Sequence, residues 1–294
     1  MKTNANFMNH VYGWLLLLPA AVFLLAFTHY PTVATLVQSL FSEGTAIRPS
    51  VFVGLENYQM LAEDDIFWKV LGNNMWYALG TIPTSIGLAV LMAVWVNRRL
   101  PARGLVRMAY FTPTILPMIA VANIWLFFYT PQIGLFDQIG AAVGLPSQNW
   151  LGDPDLVLSC LIVMTIWKEA GFFMIFYLAA LQSLPEELNE AAYLEGAGRW
   201  YVFRRITWPL LMPTTLFVSI NAVINSFKMV DHLFILTKGG PNNASSLLLY
   251  YIFEVAFSFF DESYAATLTV VLLALLALAA VGQFLFLEKR IHYR

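Results

Sequence analysis

The chain has 294 residues, of which 59% are hydrophobic and only 12% charged, with a mean hydropathy of +0.67. Soluble domains carry about 25% charged residues, so the composition excludes a soluble domain and specifies an all-α, polytopic membrane protein. The net charge of −2 gives nucleic-acid binding no support, and the single cysteine, Cys160, excludes an internal disulfide. Four histidines form no HExxH or Cys/His metal cluster, and the glycine-rich loop that cradles nucleotide phosphates does not occur in the sequence. If ATP drives this protein, another chain binds it.

The first apolar run is Val11 to Thr28, with Pro19 expected to kink it. A signal peptide is the rival reading, but Thr28-His29-Tyr30-Pro31 is no small-residue cleavage site and the N-terminal region carries only Lys2. A polar segment follows, about 42–72, containing VFVGLENY (Val51 to Tyr58). Five more apolar runs lie at 74–96, 109–130, 156–181, 210–236 and 265–287. A hydrocarbon core of about 30 Å takes about 20 helical residues, so the sequence predicts six transmembrane helices in a single membrane domain over 1–294. Prolines 83, 113, 117, 209 and 213 mark bends, which a bundle tolerates where neighbours satisfy the freed carbonyls.

Basic residues set orientation. Arg98, Arg99, Arg103 and Arg107 lie between spans two and three, and Arg199, Arg204 and Arg205 between spans four and five. Lys2 is at one end; Lys289, Arg290 and Arg294 are at the other. The opposite loops hold Arg48, Lys69 and Lys238. This asymmetry predicts that both termini and the loop after span four are cytoplasmic.

That loop, about 183–209, is the polar stretch around which the reading turns. Ser183-Leu184-Pro185-Glu186 reads as a helix start, with Ser183 as cap, Glu186 three residues on and Pro185 in the first turn. Glu187 and Glu190 put negative charge near the helix's positive end. Gly196 and Gly198 are expected to break the helix. Arg199, Arg204 and Arg205 then hold the segment at the membrane face, and Pro209 and Pro213 open the next apolar run.

Ionisable residues inside a bilayer are costly and usually face a cavity or a partner. In the fifth run Asn221, Asn225, Lys228 and Asp231 fall, at about 100° per residue, within roughly a 120° arc. Lys228 and Asp231, three apart, could pair. The stripe either bonds helix to helix or lines a path for a polar solute, since amides offer both donors and acceptors. Trp167, Lys168, Glu169 and Tyr177 in the fourth run join the same candidate path. Lys168, Glu169, Lys228 and Asp231 could instead serve ion coupling in a self-sufficient secondary transporter. Asn73 and Asn74, at the outer end of span two, could line the path or equally be helix caps, and Gly239-Gly240-Pro241 reads as a tight turn.

The stretch Glu190, Ala191, Ala192, Gly196, Ile206, Pro209 resembles, without a gap, the E-A-A-x(3)-G-x(9)-I-x-x-P loop of importer-type ABC transporter permeases. VGLENY, Trp167-Lys168, Ala180 to Pro185 and Ser226 to Asn243 extend the resemblance over essentially the whole chain. They look like the carbohydrate branch, similar to maltose and glycerol-3-phosphate uptake permeases. The resemblance implies a type I ABC importer permease architecture in a bacterial inner membrane. It assigns Glu190, Ala191, Ala192, Gly196, Ala197, Ile206 and Pro209 to a coupling helix that docks on a cytosolic ATPase. It further implies a second permease as heterodimer partner, an ATPase dimer that holds ATP and magnesium, and an extracytoplasmic solute-binding protein. No cofactor is expected on this chain. Few basic residues lie along the path, which favours a neutral sugar, polyol or glycoside over glycerol-3-phosphate or another phosphorylated polyol.

Overall fold

A computed structural model describes residues 2–44, 49–98 and 102–288, with side chains omitted at 2–11 and 286–288. Arg48, Arg99, Lys289, Arg290 and Arg294, and the Lys2 side chain, therefore lie outside what is described. The chain divides into two compact units, residues 1–64 with 252–271 and residues 65–251 with 272–294.

The first unit opens with helix α1 (Lys2–Leu24), a π turn (Leu25–His29) and α2 (Tyr30–Gln38). The helix runs on through Pro19, and its continuous apolar stretch reaches Gln38, ten residues past the expected end. The wider turn sits just ahead of Pro31, whose ring removes an N–H and crowds the preceding turn. α3 (Glu56–Glu63) carries the buried Asn57 of the VGLENY segment. Its Nδ2 donates to the carbonyls of Ser39 (2.9 Å) and Phe41 (2.8 Å), closing the free end of α2.

The second unit is built on α4 (Asp65–Val96) and α8 (Val157–Ser183). They pack along one another through small residues: a Cβ on Gly80 would sit 2.9 Å from Ile162 Cδ1, while Ala89 and Ala93 are fully buried beside Phe173, Met174 and Tyr177. α5 (Arg103–Ile115) and α6 (Met118–Phe128) form the third expected span, bent by 100° at Leu116-Pro117. A Cβ on Gly171 of α8 would lie 2.1 Å from the Tyr110 carbonyl oxygen, so α5 and α8 touch backbone to side-chain-free backbone there.

After the short α7 (Leu135–Ala142) and α8 come α9 (Glu186–Leu194), α10 (Arg199–Val202), a second π turn (Phe203–Thr207) and α11 (Trp208–Leu210). The fifth span continues as α12 (Met212–Lys228) and α13 (Asp231–Leu236), and the run from Arg199 bends by 66°. α14 (Leu248–Phe257) was not foreseen; at ten residues, about 15 Å, it is too short to cross a membrane. α15 (Glu262–Glu288) is the sixth span and matches its expected bounds closely. Among the described residues, four helices are long and apolar enough to span, and up to six if each bent pair counts as one.

Asn73 and Asn74 are not caps. α4 starts at Asp65, and the two amides sit well inside it. They hold the turn between α13 and α14 instead. Asn73 Nδ2 donates to the carbonyls of Asn243 (2.7 Å) and Ser246 (3.0 Å), and Asn74 Oδ1 accepts the N–H of Leu248 at 3.0 Å. Lys69 Nζ, one turn earlier, donates to Asn242 O at 2.6 Å.

Candidate functional site

The loop between α8 and α12 carries the first candidate site. The expected cap at Ser183 is not made. α8 runs through Ser183, whose hydroxyl donates back to Ala180 O at 2.8 Å, and Pro185 is the residue ahead of α9, with no side-chain cap. The cause is local: Leu184 precedes a proline and is driven to extended backbone (ψ 136°), so one helix must end before the next begins.

The end of α9 is closed by glycine. Gly196 adopts φ +81°, its N–H bonds Tyr193 O at 3.0 Å, and Ala197 N–H reaches back to Ala192 O at 2.9 Å. This paired closure requires a left-handed residue after the helix. Gly198 is extended (φ −71°) and only precedes α10, so one of the two expected breakers acts by positive φ. Ala192 is buried under the helix, while Glu190 and Ala191 face outward beside Leu188, Tyr193 and Leu194, the last 90% exposed. Trp200 and Tyr201 of α10 are also exposed. Ile206 is half-buried inside the π turn, and Pro209 stands exposed in α11 just after it. The turn supplies the extra residue that lets the helix pass the proline ring.

The second candidate site lies where α4, α8 and α12 meet. Thr81, Ser85, Thr165, Glu169, Asn225 and Ser226 surround a cavity of about 10 Å³, room for one water-sized body. Asn225 Nδ2 donates to Glu169 Oε2 at 2.9 Å, joining α12 to α8. Beside it, Tyr77 OH lies 2.7 Å from Thr165 Oγ1 and stacks on His232 of α13. Glu169 stands on the expected path, whereas the Tyr77–Thr165–His232 cluster is not singled out by the sequence, its two hydroxyls and one imidazole being scattered over three distant stretches.

The expected stripe on the fifth span does not run its full length. α12 stops at Lys228, Met229 is extended (ψ 105°), and Asp231 begins α13. Asn221 and Asn225 share α12, but Asn221 donates to Phe217 O of its own helix at 2.8 Å. Lys228 and Asp231 are both exposed, and among the described residues no ion pair joins them. The backbone break at Met229-Val230 replaces the helical geometry on which that pairing depended.

Lys168 is placed differently from the expectation as well. Its side chain is buried, and Nζ donates to the carbonyls of Leu116 (2.7 Å), Pro113 (3.2 Å) and Thr114 (3.4 Å). Those are carbonyls freed where α5 ends. Trp167 is partly exposed and meets Trp125 edge-on at 5.7 Å. Tyr177 is fully buried, donating to Thr215 Oγ1 at 3.2 Å.

Beyond the membrane runs, Asp137 of α7 gathers its surrounding loop. It accepts from Gln132 N (2.6 Å), Trp150 Nε1 (2.8 Å), Gln148 N (3.3 Å) and the Ser147 hydroxyl. The Ser147 hydroxyl, then the Gln132 amide, with further help from Trp150 and Gln148, lower its carboxyl to about 2 against a partial burial penalty.

The sequence profile of the binding-protein-dependent transport system inner membrane component family matches residues 85–293. The lactose transport system permease protein of Rhizobium radiobacter is 31% identical, over 95% of each chain. The sn-glycerol-3-phosphate transport system permease protein of Agrobacterium fabrum is 29% identical, over 98% of each. Among solved structures, a chain of a bacterial alginate ABC transporter in complex with alginate pentasaccharide-bound periplasmic protein superimposes with a TM-score of 0.83 at 21% identity, covering 97% of this chain and 95% of that one. The chain belongs to the binding-protein-dependent transport system inner membrane component family, the membrane permeases of ABC importers.

Proposed function

We propose that this permease moves a neutral sugar or sugar-like solute, and that a separate cytosolic ATPase drives it through α9. The observation that carries the coupling reading is the outward face of α9. Glu190, Ala191 and Leu194 stand exposed on a helix held at a fixed angle by the Gly196 closure. Small alanines allow a partner to approach closely, and a glutamate can meet its basic groups. ATP and magnesium then belong to the ATPase, and this chain needs no cofactor. The partner set is a second permease, an ATPase dimer and an extracytoplasmic binding protein, with the loop 183–209 and both termini in the cytoplasm and the whole chain acting as one membrane domain.

The solute class follows from what the interior offers. The cavity among α4, α8 and α12 presents hydroxyls, an amide and the Glu169 carboxylate, and the Lys168 ammonium is committed to backbone carbonyls. Such a lining suits a solute's hydroxyls and repels a phosphate. Asn225 is the best-placed lining residue; Asn221, Lys228, Asp231, Trp167 and Tyr177 stay candidates for the rest of the path. The similarity to a glycerol-3-phosphate permease keeps a phosphorylated polyol as the second reading.

Purification of the tagged chain in mild detergent, followed by ATP-driven uptake in proteoliposomes, tests both parts. Co-purification of a second six-span protein and a nucleotide-binding subunit is the expected result, with uptake of a neutral glycoside competed by other sugars. A chain that transports alone, driven by an ion gradient, would overturn the coupling; preferred uptake of a sugar phosphate would overturn the solute class.

A further inference from the structure

Between α5 and α8, in the second unit, runs a groove of about 430 Å³. Its walls follow helical spacing. Gly104, Arg107 and Phe111 line one side and Ile175, Leu178 and Gln182 the other, each set falling on one helix face. The two walls grade in the same direction. The end near the start of α5 carries Arg107 and Gln182, and the end deeper in the two spans carries Phe111 and Ile175. The polar end is open at Gly104, where an added Cβ would meet nothing within 4 Å.

Charge at the polar end is of one sign. Arg103 lies one helical turn before Arg107 on α5, and Arg98 stands exposed two residues after the end of α4. Among the described residues no acidic side chain pairs with Arg103 or Arg107, and the Arg103 Nε is shielded from water without a hydrogen-bond partner. A cationic, hydrogen-bonding mouth leading into an apolar channel is the complement of one molecule type: an anionic headgroup followed by an acyl chain. The location agrees, because both helices belong to membrane-spanning runs and basic pockets between such helices hold acidic lipid headgroups.

We propose that this groove binds one acidic phospholipid, with its phosphate at Arg107 and Gln182 and an acyl chain laid along Phe111, Leu178 and Ile175. The bound lipid fills the gap beside the close α5–α8 contact at Gly171 and supplies the anion that the basic end of α5 lacks. A peptide segment of a partner would need an acidic group at one end and apolar side chains at helical spacing; an acidic phospholipid carries the charge and the apolar chain in one molecule and is present wherever the helices are.

The test uses the assembled importer, or the chain alone if it purifies alone, in a detergent without phosphate. Native mass spectrometry is expected to show one retained acidic phospholipid per chain. Arg107→Gln should weaken its retention about five-fold, and phosphatidylglycerol, but not phosphatidylcholine, should raise the Tm of delipidated wild-type protein. Should Arg107→Gln fold poorly, the two-lipid Tm comparison on wild type decides by itself. Equal stabilisation by both lipids, unchanged retention in the variant, or a photo-crosslinker at Met108 that captures a partner subunit in place of lipid would each overturn the proposal.

Discussion

The Lys168 ammonium lies 2.7 Å from the carbonyl oxygen of Leu116, the residue at which the third span turns through 100°. With Pro113 and Thr114 also accepting from it, one cation from α8 satisfies three carbonyls that the break leaves open. Carbonyl oxygens at the end of a helix carry partial negative charge, and water is not available to them inside a bilayer. The bend and the buried lysine therefore depend on each other.

Replacing Lys168 by Met keeps the length of the side chain and removes the donor. Hydrogen bonds to charged groups contribute about 1.5–3 kcal/mol each and unpaired buried carbonyls add to the loss, so Lys168→Met should destabilise the chain by about 3 kcal/mol. The measurement is thermal unfolding in detergent alongside solute uptake. A lower Tm with unchanged apparent solute affinity is the expected pair of results. A normal Tm with altered affinity would return Lys168 to the path.

Gly171 offers a second, independent handle on the same contact. A methyl group there would sit 2.1 Å from the Tyr110 carbonyl, which is backbone and cannot swing away. Gly171→Ala should cost about 1–3 kcal/mol by forcing α5 from α8. Gly72→Ala is the control, because its added Cβ meets nothing within 4 Å in a helix, and it should be neutral or stabilise by up to about 1 kcal/mol. Comparing the two Tm shifts separates a close helix approach from a general intolerance of substitution.

The Asp137 loop should be sensitive to acid. Its carboxyl is lowered to about 2 in the folded chain from 3.8. A depressed folded value means that the stabilisation is present above pH 3.8 and is lost as pH falls from there through about 2. Hydrogen exchange of residues 131–152 should therefore rise over that interval in the wild type. Asp137→Asn should show faster exchange already at pH 7 and no such step. A wild-type loop whose protection is flat from pH 5 to pH 2 would show that the carboxylate does not hold it.

The spans themselves were legible because twenty apolar residues leave little alternative in a bilayer, and α15 came out within a few residues of its run. The loop from Glu190 to Pro209 was legible because its signals are local: a glycine after a helix and a proline after an arginine pair. What stayed hidden depends on distance in sequence. Lys168 finds carbonyls more than fifty residues away, and Asn73 closes a turn some 170 residues on. Local pattern says only that these side chains are polar. Asp231 misled for another reason: helical periodicity placed it beside Lys228, and two non-helical residues between them were enough to remove that geometry. α14 escaped because ten apolar residues suit a short helix as well as a buried loop.

The loop that carries α9 yields the sharpest functional prediction because two of its residues fail in different ways. Gly196 meets open space, yet its φ of +81° is strained for any residue with a Cβ. Gly196→Ala should loosen the closure of α9 by about 1 kcal/mol, lowering local order in the loop and reducing uptake in part. Glu190 is exposed and, among the described residues, its side chain makes no bond that folding needs, so Glu190→Lys should leave Tm and the set of co-purifying subunits unchanged. If α9 transmits ATPase closure, that charge reversal should abolish solute-stimulated ATP hydrolysis and uptake together in proteoliposomes. Normal hydrolysis and uptake in Glu190→Lys would leave α9 a surface helix that merely joins two spans, whatever Gly196→Ala does to its shape.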